Sequence, residues 1–239
     1  MMHRAERSPR RRPPLAALRA LASGALLGCA LLALPAAAQS IATTKHNLSA
    51  SGPGSIKAVS EGEICKFCHA PHAKSAQAPL WNRNLSGQTY VMYNSTTMDA
   101  YQGGTPPQPT GSSKLCLSCH DGTIALGSVL SQATPIAMSG GIITMPSSSG
   151  AYFGQDLSGH HPFSFQVTDA IVAANNRKDS PLKSVAQMQV SSNPARLDAQ
   201  GFVQCSSCHD PHKDPFGNLF LRSASQDAVC LSCHAISGP

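Results

Sequence analysis

Eight of the chain's nine cysteines fall into four copies of one pattern: Cys65-Lys66-Phe67-Cys68-His69, Cys116-Leu117-Ser118-Cys119-His120, Cys205-Ser206-Ser207-Cys208-His209 and Cys230-Leu231-Ser232-Cys233-His234. The spacing C-x-x-C-H is the attachment signature of c-type haem. Two thiols one short helical turn apart reach the two vinyl groups of one porphyrin, and the next residue lifts an imidazole to the iron. Structural zinc also uses C-x-x-C units, but each site needs four ligands, and zinc gives no reason for a histidine after every second cysteine. Four disulfides would ignore the same histidines. The pattern therefore predicts four covalently attached c-type haems, held by Cys65, Cys68, Cys116, Cys119, Cys205, Cys208, Cys230 and Cys233, with His69, His120, His209 and His234 as proximal iron ligands.

Four irons leave up to four distal positions, and five more histidines follow the first 38 residues: His46, His72, His160, His161 and His212. Bis-histidine ligation of every iron is within the chain's means, which favours low-spin, low-potential electron transfer over His/Met ligation. His72 and His212 each stand three residues after a proximal histidine, in Cys-His-Ala-Pro-His and Cys-His-Asp-Pro-His. Three extended residues span at most about 10 Å, too little to round a porphyrin edge and return to the same iron. Each must serve another haem, with Pro71 and Pro211 fixing the turn. His72 is expected on the haem of Cys116 and Cys119, and His212 on that of Cys230 and Cys233. Of the adjacent His160 and His161, one is expected to ligate. His161 is taken, because Pro162 and the alternating Phe163-Ser164-Phe165 run hold it in an extended segment, with His160 as a spare or supporting group. His46 completes the distal set. Met92, Met98, Met138, Met145 and Met188 are read as apolar fillers.

The elements that position these residues must be short. The chain of 239 residues is 41% apolar, 5% aromatic and 13% charged, with 19 glycines and 18 prolines. That composition predicts a mostly irregular, coil-rich fold with short α-helices, little or no β-sheet, and a core organised by the haems. Residues 1–38 read as a secretory signal peptide: a run of arginines, an Ala/Leu stretch over 21–34, and Ala36-Ala37-Ala38 before Gln39. Cys29, in Leu26-Leu27-Gly28-Cys29, is the alternative as a lipid-anchored start. Cleavage after Ala38 leaves twelve basic against eleven acidic residues, a formal charge of +1, so the basic character belongs to the leader and implies no nucleic acid. No other stretch approaches the roughly 20 apolar residues of a membrane span. Residues 39–239 then form the haem domain, periplasmic, extracellular or on the cell surface. Within it, 131–160 reads as loop, Ser225 caps a helix over 226–236, and 168–174 and 182–189 are short helices. The motifs fall in two sets, each opening with Cys-His-x-Pro-His and closing with Cys-Leu-Ser-Cys-His, a weak internal duplication.

Thr44-Lys45-His46-Asn47-Leu48, Cys65 to His72, Pro79-Leu80-Trp81-Asn82-Arg83, Cys116 to Thr123, His161-Pro162 and Cys205 to His212 resemble the multihaem cytochromes c with doubled C-x-x-C-H motifs. Within that group the chain is similar to the small tetrahaem cytochromes, some of which polymerise into extracellular electron-conducting filaments. The resemblance runs through short motifs over most of residues 41–236. It implies an electron carrier with no catalytic residue, passing electrons to redox partner proteins. The filament-forming members take one distal histidine from the neighbouring subunit, which implies a homopolymer with His46, on an N-terminal arm, as the inter-subunit ligand.

Two other functions stay open. A multihaem oxidoreductase acting on nitrite or a sulfur oxyanion needs one open iron, and the sequence shows neither a C-x-x-C-K variant nor a distal deficit. A haem subunit docked on a membrane redox complex would carry the same motifs. Intact mass spectrometry of the exported protein is expected to place Gln39 at its N-terminus; a lipidated Cys29 would contradict the cleavage.

Overall fold

A computed structural model describes residues 40–72, 80–101, 104–175, 181–217 and 219–236. The expected leader, Cys29, the cleavage site and Pro79 lie outside them. Coil dominates, as the glycine and proline content requires. Among the described residues the α-helices are α1 (Gly111–His120), α2 (Asp169–Asn175), α3 (Val185–Met188), α4 (Cys205–Cys208) and α5 (Gln226–Cys230). Two-residue strands make two small sheets: β1 (Val91–Met92) runs parallel to β2 (Asp156–Leu157), and β3 (Phe165–Gln166) antiparallel to β4 (Phe202–Val203). No described helix is long and apolar enough to cross a membrane.

The short helices follow local chemistry. Ser184 caps α3 in a reciprocal box with Gln187, and the Ser225 hydroxyl accepts from the Ala228 N–H at the start of α5. The fourth-motif helix ends at Cys230, short of the expected 236, since the chain turns so that Lys183 N–H can donate to the Cys233 carbonyl. The longest helix, α1, had no sequence signal. Thr110 makes no side-chain cap, and Gly111 opens the helix at φ +49°, where a Cβ would meet the Gln204 amide at 2.7 Å. Tertiary bonds hold α1 instead. Ser113 Oγ donates to Gln204 Oε1 at 2.6 Å and accepts from the Cys205 N–H at 3.0 Å, and the Ser112 and Ser206 hydroxyls meet at 2.6 Å, which locks α1 to α4 and the second motif to the third.

The apolar residues gather in three small clusters rather than one core. Phe67, Leu126, Val129, Ile136 and Met138 pack with Cys68 and Cys119; Tyr90, Met92, Leu117, Leu157 and Phe163 with Cys205; Val167, Val172 and Met188 with Cys233. Each cluster therefore lies against a thiol of the pattern. Met92, Met138, Met145 and Met188 are buried fillers here.

Three of the motif histidines sit in the same backbone clasp. His69 bridges Trp81, His209 bridges Leu221 and His234 bridges Leu182, each antiparallel. On one side Ala70, Asp210 and Ala235 donate their N–H groups to the carbonyls of Leu80, Phe220 and Pro181; on the other, Asn82, Arg222 and Lys183 donate to Cys68, Cys208 and Cys233. Leu80 and Phe220 occupy the same place in the His69 and His209 clasps, and both turn the chain at positive φ, 61° and 63°. The internal duplication is thus carried by backbone geometry as well as by motif. The second motif differs: α1 continues through His120, whose carbonyl accepts from the Phe153 N–H at 2.8 Å.

Asn82, fully buried, ties the first clasp to the loop beyond. Its amide donates to the Lys66 carbonyl at 2.6 Å and to Ser131 Oγ at 2.9 Å, and its Oδ1 accepts from the Ser131 N–H at 2.9 Å. Asn82→Ala orphans groups that cost about 1–3 kcal/mol each when left buried and unpaired. Thermal unfolding of the variant is expected to show a loss of roughly that size or more; an unchanged midpoint would contradict the role.

Candidate haem-binding sites

None of the eight motif cysteines is in a disulfide. Their order in space follows their order in sequence. Cys68 and Cys119 pack on one apolar cluster, the Cys116 and Cys205 thiols hydrogen-bond each other, and Cys208 lies near Cys233 and Cys230. Burial pushes the Cys68 thiol up to about 12 and that of Cys208 to about 11. In the Cys116–Cys205 pair the shared hydrogen bond raises Cys116 and lowers Cys205, the latter also stabilised by Ser113. Among the described residues, no three His, Cys, Asp or Glu side chains converge as a metal cluster would require.

The imidazoles converge in pairs. His69 and His212 have ring centres 6.1 Å apart, His46 and His120 6.1 Å, and His161 and His234 6.4 Å. Two imidazoles on opposite sides of one metal, each bound at about 2.0 Å through Nε2, have centres about 6.3 Å apart. Each pair joins one histidine of a C-x-x-C-H motif to one of the others, at the separation an intervening iron demands. The residues therefore fit haem.

The outer nitrogens fit as well. His120 Nδ1 lies 2.7 Å from the Ala151 carbonyl, His46 Nδ1 2.9 Å from that of Pro211, His161 Nδ1 2.8 Å from that of Pro162, and His209 Nδ1 2.8 Å from that of Leu219. A carbonyl only accepts, so Nδ1 carries the proton and donates. Nε2 keeps its lone pair for a metal, the arrangement that orients metal-bound imidazoles generally. Burial lowers the pKa of His46, His120 and His234, which keeps them in the neutral, ligating form. The His161–His234 pair lines an apolar cleft with Phe165, Val167, Met188, Cys230 and Cys233, and Met98 also stands at its wall.

The partnerships differ from those expected. His212 faces His69 rather than His234, and His46 rather than His72 faces His120. The turn at Pro211 explains both: its carbonyl takes the His46 Nδ1–H, so the segment after the third motif lies against the N-terminal segment and the first two motifs. His46 also stacks on Phe220 at 4.2 Å. His161 meets His234, while His160 packs edge-on against Phe153 at 4.9 Å, which itself stacks on His120. His72 and His209 are exposed, and neither has an imidazole facing it at the paired distance among the described residues. Sequence reasoning missed the clasp residues and the carbonyls that orient Nδ1; main-chain acceptors carry no side-chain signal.

A family model described as "Doubled CXXCH motif" matches residues 199–237. The third and fourth motifs form that doubled pair. The match supports a multihaem c-type cytochrome that binds haem iron covalently and takes part in electron transfer. No curated protein matches the chain.

The ring planes give a spectroscopic expectation. The His69–His212 planes are 14° apart, whereas His46–His120 and His161–His234 are 70° and 79° apart. Near-parallel axial imidazoles give a rhombic low-spin ferric signal, and near-perpendicular ones a signal with a larger maximum g. Electron paramagnetic resonance of the haem-loaded protein should show both kinds. His212→Ala should remove the rhombic signal and leave the others; loss of a large-g signal instead would place His212 on a different haem.

Proposed function

We propose that the chain is an exported tetrahaem c-type cytochrome that carries electrons and catalyses no reaction of its own. The observation that carries this reading is the set of three proximal–distal imidazole pairs, at 6.1 to 6.4 Å. Bound haem supplies a one-electron ferric/ferrous couple. The chain's part is to close both axial positions, exclude substrate from them and keep the attachment sites adjacent in sequence order. Ligation of this kind leaves an iron no site for a substrate, which is the arrangement of a carrier.

The third motif supports a second reading of the same protein. His209 is oriented by Leu219 for metal binding yet has no facing imidazole among the described residues, and exposed His72 is the unmatched distal candidate. In a homopolymer, the inter-subunit bond first assigned to His46 then falls to His72 of one copy and the His209 haem of the next. Exposed Phe216 and Leu219 near His209 offer apolar surface for that contact. An oxidoreductase would use the same vacancy as its open iron.

Intact mass of the loaded protein is expected to report four haems; two or three would contradict the reading. Electron microscopy of material sheared from and secreted by the native cells separates the rest. Filaments that disappear in His72→Ala with four haems retained support the polymer, and unchanged filaments in that variant overturn it. A high-spin ferric signal from dispersed protein that is lost on adding nitrite or sulfite would favour the enzyme.

A further inference from the structure

A fixed charge stands where the first and second motifs meet. Arg83 is 1% exposed. Its terminal nitrogens donate to main-chain carbonyls: one to Leu126 at 2.7 Å, the other to Ala125 at 2.9 Å and Ser118 at 3.5 Å. The Nε–H is buried without a partner. No carboxylate among the described residues lies within ion-pairing distance of the guanidinium. Carbonyl dipoles therefore solvate the charge but do not cancel it, and an arginine in a protein does not shed its proton.

The charge adjoins two attachment sites. Ser118, whose carbonyl receives one of these bonds, stands between Cys116 and Cys119, and Asn82, the residue before Arg83, donates its N–H to the Cys68 carbonyl at 2.9 Å. Cys68 belongs to the first motif and Cys119 to the second. The other charge facing Cys119 is Asp121, 2% exposed, whose carboxylate accepts from Tyr90 Oη at 2.7 Å and from the N–H and hydroxyl of Thr123. Asp121 directly follows His120 in the chain, so it offsets Arg83 in part at the second motif.

We propose that Arg83 is a tuning charge that raises the reduction potentials of the haems on Cys65/Cys68 and Cys116/Cys119 above the values they would have without it. This rests on the tetrahaem reading above. Taking up one electron lowers the charge at a haem site by one unit and needs no bond or proton change. A nearby cation stabilises the reduced form, and burial makes the effect large because neither water nor salt screens it. Local charge and burial are among the levers by which a protein sets haem potential.

The test uses the full chain matured in a haem-attaching host. Four haems on the wild-type protein, read first by intact mass, separates failure of this inference from failure of the tetrahaem reading. Redox titration is then followed optically for all haems, and by resonance of poised samples for the rhombic His69–His212 signal. Arg83→Gln is expected to lower two of the four midpoints, the rhombic one among them, while Arg83→Lys leaves them near the wild type. Unmoved midpoints in Arg83→Gln with four haems attached, or an equal shift of all four, would overturn the proposal. Where Arg83→Gln fails to retain haem, Asp121→Asn decides: removing the offsetting anion is expected to raise one midpoint, and no shift would overturn the proposal.

Discussion

An imidazole binds iron only through a nitrogen that carries no proton, so a chain that holds haem by histidines must settle which nitrogen that is. Here the choice is made by main-chain carbonyls. Those of Ala151, Pro211, Pro162 and Leu219 each take an Nδ1–H, and Nε2 is left free. Much else in the fold serves to put those carbonyls and rings in place. The backbone clasps at His69, His209 and His234 hold three motif histidines, and the Pro211 turn brings the His212 ring and the carbonyl that orients His46 to the first two motifs in one segment. A short segment thus does two jobs, which explains how so irregular a chain positions so many ligands.

The rest of the structure follows from having little else to fold around. Each apolar cluster lies against a motif cysteine, and the two sheets have strands of two residues. Polar contacts carry what apolar burial does not: the Ser113–Gln204–Cys205 bonds join the second motif to the third, and Asn82 joins the first to its neighbouring loop. Arg83 belongs to the same economy, since its guanidinium gathers three carbonyls around the junction of the first two motifs.

The sequence made the chemistry legible and left its pairing illegible. The C-x-x-C-H spacing is local, so all four attachment motifs could be read directly, and short helices were expected near 169, 185 and 226, the last from its Ser225 cap. The coil-rich class followed from glycine and proline. Helix α1 did not, because the bonds that stabilise it come from Gln204 and Ser206, more than ninety residues away. The partners of His212 and His46 were hidden for the same reason. A reach argument shows that His212 cannot return to its own iron, but only the position of the Pro211 turn shows which other iron it approaches. The His69, His209 and His234 clasps lie in backbone hydrogen bonds, and side-chain identity says nothing of those.

The most direct test of this account is a density map of the haem-loaded protein, read for the two nitrogens on each iron. The account predicts His69 with His212, His46 with His120, and His161 with His234, each through Nε2. A map that places His212 on the haem of Cys230 and Cys233, or finds Nδ1 at the iron, would contradict it.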